Sequence, residues 1–379
     1  MKPCRRRTFL GYSAGLGLSA GLAAWLPAIA ARAAAPIRLG AILPLTGPAA
    51  EIGTEEQRGI QFAVSEANGK GGIGGRPITV LFEDNQAKPD LSVLSFNKLV
   101  NLDQVPVILT GYSGPTLAMA PLATRTRTLL INAGAQTDRL GTISPYLFNA
   151  IPQEAGEVGV LTHFVVDGLK AKRAAILYEN DAAGIAGRDD FVKEFRALGG
   201  TIAAQEPVPF GETDFRPALL KLAAAKPEVL FVTITQGAKE LADQKKELAI
   251  AVPVVGTTFL NDPAAIADPA AEGWYHTQMR IDQPAGLTAA FRKEFPGADF
   301  AFFSRQYYNA TNMVLAAIAK VAAEGKPITG ANLRAAILEI RHFPGLLPLD
   351  FTSNTATMEI DIDRFEGGKD VLFKRETSG

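Results

Sequence analysis

The chain has 379 residues, 47% of them hydrophobic and 20% charged, and its 38 Lys and Arg nearly balance 39 Asp and Glu for a net charge of −1. It is too apolar for a disordered chain and lacks the basic excess of a dedicated nucleic-acid binder. A single cysteine, Cys4, excludes a disulfide scaffold, and three histidines without a cysteine cluster speak against a zinc site of the common His/Cys kinds. At roughly 150 residues per domain the length fits two domains.

In chain order, Lys2, Arg5, Arg6 and Arg7 come first, residues 8–31 carry no charge, and Arg32 follows among small residues. This is the order of a secretory signal, and Arg6-Arg7-Thr8-Phe9-Leu10 fits the twin-arginine export pattern. Ala31-Arg32-Ala33 places cleavage after Ala33, with Ala28-Ile29-Ala30 as the second choice. A retained membrane anchor is the rival, since the stretch is long enough to span a bilayer. Four glycines, two serines and Pro27 make it a poor one. Cleavage removes five basic residues and no acid, which leaves a cysteine-free chain of net charge −6.

Beyond the signal, strand-like and helix-like runs alternate. Strands are expected at 37–43, 77–83, 105–110 and 128–131, separated by helices at 50–67, 89–102 and 115–124. After Pro152 the expected helices are 154–168, 189–198, 215–225 and 238–249, and the strands 173–178, 201–208, 229–233 and 253–256. Consecutive helices at 286–295, 302–324 and 330–340 follow, then late strands at 358–362 and 371–374. Repeated strand–helix units predict parallel sheets covered by helices on both faces. Right-handed crossovers then bring the strands' C-terminal ends to one edge, where ligands bind.

Three loops at that edge carry the candidate chemistry: residues 43–48, 110–116 and 132–137. In the second, Pro115 suits a first helical turn, so Ser113 or Gly114 is expected to cap the helix beside free N–H groups. That is either a small anion site or a capped helix without a ligand, and the residues alone leave both open. The small residues of 132–137 would admit close backbone approach, or form an ordinary loop. Dinucleotide, P-loop and nucleophile-elbow motifs are absent; Gly111-Tyr112-Ser113-Gly114-Pro115 breaks the last pattern. His163, His276 and His342 lie far apart and read as surface or packing residues. Glu179-Asn180-Asp181 reads as a solvated turn, with a cation or polar ligand as the alternative.

The opening run Ile37-Arg38-Leu39-Gly40, then Leu45-Thr46-Gly47-Pro48, Gly59 to Asn68, Gly71-Gly72-Ile73-Gly74-Gly75-Arg76-Pro77-Ile78 and Phe82-Glu83-Asp84, resembles the ABC-transporter periplasmic binding proteins of the leucine/isoleucine/valine-binding (hydrophobic amino acid/amide) type. The likeness runs from Pro36 to about Phe373. It implies an α/β, two-lobed type I periplasmic-binding-protein fold, each lobe a mostly parallel sheet with helices on both faces. Three hinge crossovers are expected near 150–152, 281–284 and 351–354. After a signal peptide over 1–33, lobe 1 would comprise 34–151 plus 284–352, and lobe 2 would comprise 152–283 plus 353–379.

The resemblance also implies a site. Ser113 and Gly134 match the carboxylate clamp, with Tyr112 and Gly114 beside it. The third polar contact falls at Gln136, or at Thr137, and Tyr308 matches an aromatic near the cleft. The family's other aromatics fall at Ile52, Ala183 and Gln236, and its ammonium-binding acid at Thr257 or Thr258. Asp181 or Asp262 could compensate for that lost acid. An apolar or aromatic carboxylate, or an amide, is therefore expected to suit the cleft better than a free branched-chain amino acid. The implied partners are that small solute and an inner-membrane ABC permease, with no nucleic acid, no cofactor, no metal and no catalysis. A periplasmic monomer is expected. A sensory receptor of the same fold is the alternative, and an exported hydrolase a distant third.

Overall fold

The computed structural model describes residues 35–375, so the export segment expected over residues 1–33 lies outside them. In the first sheet β1 (Ile37–Leu43), β2 (Ile78–Asp84), β3 (Val107–Thr110), β4 (Leu129–Asn132) and β5 (Leu147–Asn149) run parallel in the order β2-β1-β3-β4-β5. Helices α1 (Ala50–Gly69), α2 (Pro89–Asn101) and α3 (Ser113–Thr126) connect the first four strands. The residue alternation of a strand splits the core into two layers. Leu109 and Ile131 face one cluster, and their neighbours Ile108 and Leu130 face the other.

After β5 the chain passes through 150–153 into a second α/β layer. Its elements are α4 (Glu154–His163), β6 (Arg173–Glu179), α5 (Ala182–Ala197), β7 (Thr201–Val208), α6 (Arg216–Ala224), β8 (Val229–Thr233), α7 (Ala238–Glu247), β9 (Val254–Gly256), α8 (Pro263–Ile266) and β10 (Tyr275–Met279). A π-helical turn, Phe164–Gly168, extends α4 to the expected end. Ala175 and Leu177 pack to one side of this sheet, Ala174 and Ile176 to the other.

The chain then returns to the first lobe through α9 (Ala285–Glu294), α10 (Phe302–Ala323) and α11 (Gly330–Ile340). A small antiparallel sheet follows, made of β11 (His342–Phe343), β12 (Leu349–Phe351) and β13 (Ala356–Thr357). Phe343, Phe351 and Ala356 pack with the α1/α10 core, so the chain stays with the first lobe through Thr357. It crosses last into β14 (Ile360–Glu366) and β15 (Lys369–Arg375), which add antiparallel edges to a seven-stranded sheet ordered β15-β14-β10-β9-β8-β6-β7.

The passages between lobes are tied together. The Asn149 N–H donates to Asn354 O at 2.7 Å, the Asn149 side chain donates to Thr355 Oγ1 at 3.0 Å, and Asp282 N–H donates to Leu346 O at 2.7 Å. No helix among the described residues is long and apolar enough to cross a membrane.

Three local expectations change. Helix α3 begins at Ser113, and the residue in its cap position is Tyr112, so neither Ser113 nor Gly114 caps it. Helix α5 begins at Ala182 instead of 189, because Asp181 accepts from Gly184 N–H at 2.8 Å and starts the helix early. Strands β5 and β10 were not anticipated; β10 carries His276, Thr277 and Gln278 and has no apolar alternation to reveal it.

Candidate ligand-binding cleft

A narrow, partly open cavity lies between the two sheets. Ile52 and Glu56 of α1, Tyr112 and Ser113 at the head of α3, Gly134 after β4 and Phe303 of α10 form the first-lobe wall. Ala183 of α5, Thr235 after β8 and Phe259 after β9 form the second. The cavity shares Ile52, Thr235, Phe259 and Phe303 with a wider cleft that reaches solvent past Gln236, Asn261 and Asp262. The lobes touch where the Tyr112 ring meets Phe210 edge-on, centroids 6.2 Å apart, and where Gly211 backs onto Pro48.

Five residues expected from the sequence line this cavity: Ile52, Tyr112, Ser113, Gly134 and Ala183. Gln236 lines the wider cleft. Gly114 follows Ser113 in α3 but is not among the lining residues. Thr137 N–H donates to Ser113 Oγ at 3.3 Å and so holds that side chain in place from behind.

Two expected contacts are spent inside the protein. Gln136 is completely buried, and its side-chain amide donates to Glu157. Thr258 N–H donates to the other Glu157 oxygen at 2.9 Å, which also takes Thr277 Oγ1 at 2.5 Å. One carboxylate from α4 thus takes the Gln136 amide N–H and the Thr258 backbone N–H, while the Thr258 hydroxyl donates to Thr277 O at 3.2 Å and Gln136 Oε1 has no partner.

Tyr308 also lies elsewhere. Its ring packs on Phe62, centroids 5.3 Å apart, and its hydroxyl donates to Glu66 at 2.6 Å. Successive helical residues are turned about 100° from one another. Its neighbour Tyr307 therefore takes the inward direction, with its hydroxyl against Gly111 and Gly134. A Cβ at Gly111 would collide with that hydroxyl, and a Cβ at Gly134 would stand 2.9 Å from it, so both loops need glycine for close approach.

The residue that sequence reasoning missed is Glu56. It is completely buried, lines the cavity, and neither carboxyl oxygen has a hydrogen-bond partner. Burial pushes its pKa up to about 8. The Tyr307 hydroxyl is near enough to favour the charged form, but it reaches no hydrogen-bond geometry and is itself without a partner. The Tyr112 hydroxyl is likewise buried and unpaired, and burial raises its pKa well above the usual phenol value. Tyr112 also sits at φ 62°, a backbone region that costs a non-glycine residue on the order of 1–3 kcal/mol. The unpartnered Glu56 and the strained, unpartnered Tyr112 thus line the cavity, and the unpartnered Tyr307 hydroxyl lies behind them against Gly111 and Gly134. None of the residues lining it is basic.

The second wall differs. Glu179-Asn180-Asp181 is not a solvated turn: Glu179 is buried and accepts from Thr235 Oγ1 at 2.6 Å, Thr235 N–H at 3.1 Å and Gly211 N–H at 3.2 Å. Burial raises the Glu179 pKa in spite of those bonds. Asp181 caps α5, and Asp262 caps α8 through Ala264 N–H at 2.8 Å, so both expected stand-ins for the missing acid have structural partners. The cleft mouth carries Glu51, Glu55, Glu212, Glu240 and Asp262, and its one cation, Lys239, is bound to Asp243 at 2.7 Å and Asp268 at 3.2 Å.

Known proteins share this architecture. A Leu/Ile/Val-binding protein of Rhizobium johnstonii is 27% identical over 366 residues, which is 93% of this chain and 98% of that one. A Leu/Ile/Val-binding protein homolog of Brucella melitensis is 24% identical over 361 residues, 90% of this chain and 95% of that one. An ABC-transporter solute-binding protein of Rhodopseudomonas palustris, solved with 3,4-dihydroxybenzoic acid, superposes with a TM-score of 0.80 at 25% identity, covering 90% of this chain and 97% of that one. A fatty acid ABC-transporter substrate-binding protein of Thermomonospora curvata shares the fold with a TM-score of 0.82 at 21% identity, covering 91% and 92%. The family model described as periplasmic binding protein matches residues 36–365. With its two lobes and their interlobe cavity, the chain belongs to the periplasmic binding protein family, the solute-binding components of ABC transporters.

Proposed function

We propose that this protein captures a small carboxylate-bearing or amide solute, with an apolar or aromatic body, in the interlobe cavity and delivers it to an inner-membrane ABC permease without making or breaking a bond. The observation that carries the reading is the cavity floor, where the Ser113 hydroxyl, the Gly134 backbone and the unpaired Glu56 carboxyl meet. The solute's polar end binds there, and its body lies against Ile52, Phe259 and Phe303. An amide N–H would satisfy Glu56 directly. A carboxylate would need Glu56 to stay protonated, which its pKa of about 8 provides at neutral pH. The acidic mouth favours a neutral amide over a free anion.

Free leucine, isoleucine and valine are expected to bind weakly, because the one acid lining the cavity, Glu56, stands at the Ser113 and Gly134 end where an amino acid's carboxylate would sit, and an ammonium buried away from it costs several kcal/mol. Threonine stands at both positions matched to the family's acid, Thr257 and Thr258. Mass spectrometry of solute released on denaturation tests capture itself, and absence of any bound or bindable solute overturns it. Side-by-side titration with leucine and 4-methylpentanoate tests the ligand class. Tight leucine binding with no response to the analogue overturns that class.

Export by the twin-arginine route and residence in the periplasm as a monomer complete the reading. Changing Arg6 and Arg7 to lysine should leave precursor in the cytoplasm, and normal periplasmic levels of the double variant would point to another route. Among the described residues the proposed lobes are 35–151 with 284–357 and 152–283 with 358–375. The last passage is moved from the expected 351–354 because Phe351 and Ala356 belong to the first lobe's core.

A further inference from the structure

Away from the cleft floor, three strands of the second lobe bring His276, Asp363 and Asp370 together. His276 of β10 and Asp363 of β14 are cross-strand partners. Asp370 of β15 pairs with Phe365, two residues on from Asp363, so its side chain emerges on the same sheet face. One nitrogen or oxygen from each of the three lies within 4.8 Å of the others.

The hydrogen bonding of His276 is the telling part. The ring is completely buried, and Nδ1 lies 2.8 Å from Thr277 O. A carbonyl only accepts, so Nδ1 carries the proton, and in the neutral ring Nε2 is then a bare lone pair. Yet Nε2 faces Asp370 Oδ1 at 2.9 Å, one acceptor against another. A proton on Nε2 makes this a 2.9 Å imidazolium–carboxylate pair, and, in spite of burial, Asp370 raises the His276 pKa. That proton would satisfy the pair alone. It would leave Asp363 Oδ1, which is buried and has no hydrogen-bond partner, still unsatisfied in the same corner. A metal ion would satisfy all three. A histidine whose other ring nitrogen is anchored on a backbone carbonyl is also the usual arrangement of a metal ligand. Neither basic residue whose charge reaches this corner hydrogen-bonds the three groups: Arg280 pairs with Asp361 and Glu359, and Arg305 donates to Ile281 O while its charge acts on Asp370 from a distance.

We propose that His276 Nε2, Asp363 and Asp370 hold a divalent transition-metal ion with the ligand preference of zinc, one imidazole and two carboxylates. Among the described residues this is a site that counting cysteines and sequence-adjacent histidines does not find, because each ligand comes from a different strand. The ion has a structural use. Asp370 Oδ2 also accepts from Asn261 Nδ2 at 3.3 Å, and Asn261 lines the cleft mouth. Metal at this point would brace the loop between β9 and α8 against the outer strands β14 and β15.

The experiment is calorimetric titration of Zn2+ alone into the full chain, purified without a polyhistidine tag and freed of metal. One equivalent should bind, Mg2+ and Ca2+ should not compete, and excess Zn2+ should raise the Tm. Asp363→Asn should weaken zinc binding at least about tenfold, and His276→Gln should abolish it. Because His276 is buried and its variant could misfold, Asp370→Asn serves as a second probe at a partly exposed position, with circular dichroism as the folding control. Co2+ substitution should give a visible absorption band that Asp363→Asn alters. Failure of the wild-type chain to bind stoichiometric Zn2+ overturns the proposal, as does zinc binding that Asp363→Asn and Asp370→Asn both leave unchanged. Solute capture in the cleft is measured separately and does not decide either outcome.

Discussion

On the first lobe's side of the cleft, Glu56, Tyr112 and Tyr307 end in buried polar atoms with no partner; on the second lobe's side, Glu157 and Glu179 are saturated by backbone and side-chain donors from their own surroundings. The first wall holds unused hydrogen-bonding capacity in a fixed, strained frame. The second offers small or apolar surface at Ala183 and Phe259, backed by the satisfied Glu179, although Glu154 of α4 is buried with neither oxygen paired. Unsatisfied buried groups destabilise the empty protein and are relieved when a ligand arrives, so the unpaired Glu56 and Tyr112 on the cavity wall support the proposal that the first lobe supplies more of the recognition.

The largest effect that would break this comparison is at Glu56. Its folded pKa of about 8 stands above the ordinary 4.5, so the folded state holds an extra proton between those values. The associated stability is fully present below about pH 4.5 and is lost as pH rises through 8, by at most about 5 kcal/mol at 1.36 kcal/mol per pKa unit. Chemical denaturation of Glu56→Gln at pH 5 and pH 8.5 should show a flatter dependence than wild type, the remainder coming from Glu55, Glu154 and Asp190, whose pKa values burial also raises. An unchanged slope would mean that the first wall holds no uncompensated carboxyl. For a carboxylate solute, wild-type affinity should also fall above pH 8.

Next in size is Gly111→Ala. Its Cβ meets the Tyr307 hydroxyl in a closed space, and overpacking of this kind costs about 1–3 kcal/mol. Tyr307→Phe removes the hydroxyl and should restore most of the loss in the double variant, a coupling that a thermodynamic cycle measures.

The smallest effects separate the two walls most sharply. Ser113→Ala should weaken solute binding by about 1–3 kcal/mol if the ligand is charged. It should barely change the empty protein, because Ser113 Oγ takes only a 3.3 Å bond from Thr137 N–H. Thr235→Val should do the reverse. Losing its 2.6 Å bond to Glu179 should lower stability by about 1 kcal/mol and move solute affinity less than Ser113→Ala does. Equal affinity losses from the two, read by calorimetry with the identified solute, would erase the distinction between the two walls.

Elements that carry their own signals were legible from the sequence. Strand Val229–Thr233 is a continuous apolar run, and helix Gly330–Ile340 begins at a Thr329 cap that accepts from Asn332 N–H at 3.3 Å; both have the expected bounds. The edge loops after buried strands β3 and β4 were legible as loops, but Ser113 and Gly134 were singled out only by the family resemblance, since the residues alone left a capped helix or an ordinary loop open. Strand β10 and the small sheet β11–β13 were not, since two- to five-residue strands with polar members exist only through their partners.

Glu56 follows Glu51 and Glu55 in a helix whose polar positions read as solvent-facing, and it is the docking of α10 on α1 that buries it. Of the adjacent pair Tyr307 and Tyr308, nothing local says which faces the Gly111 and Gly134 loops. The sequence determined the periodicities, the capped helices and the order of strand and helix, because those depend on neighbours a few residues apart. Which face of α1 and α10 became the cavity floor, and which three strands met at His276, was decided only in the folded chain. There, residues as far apart as 56 and 307, or 276 and 370, come to share one low-dielectric space, and their charges and lone pairs must be reconciled with one another instead of with water.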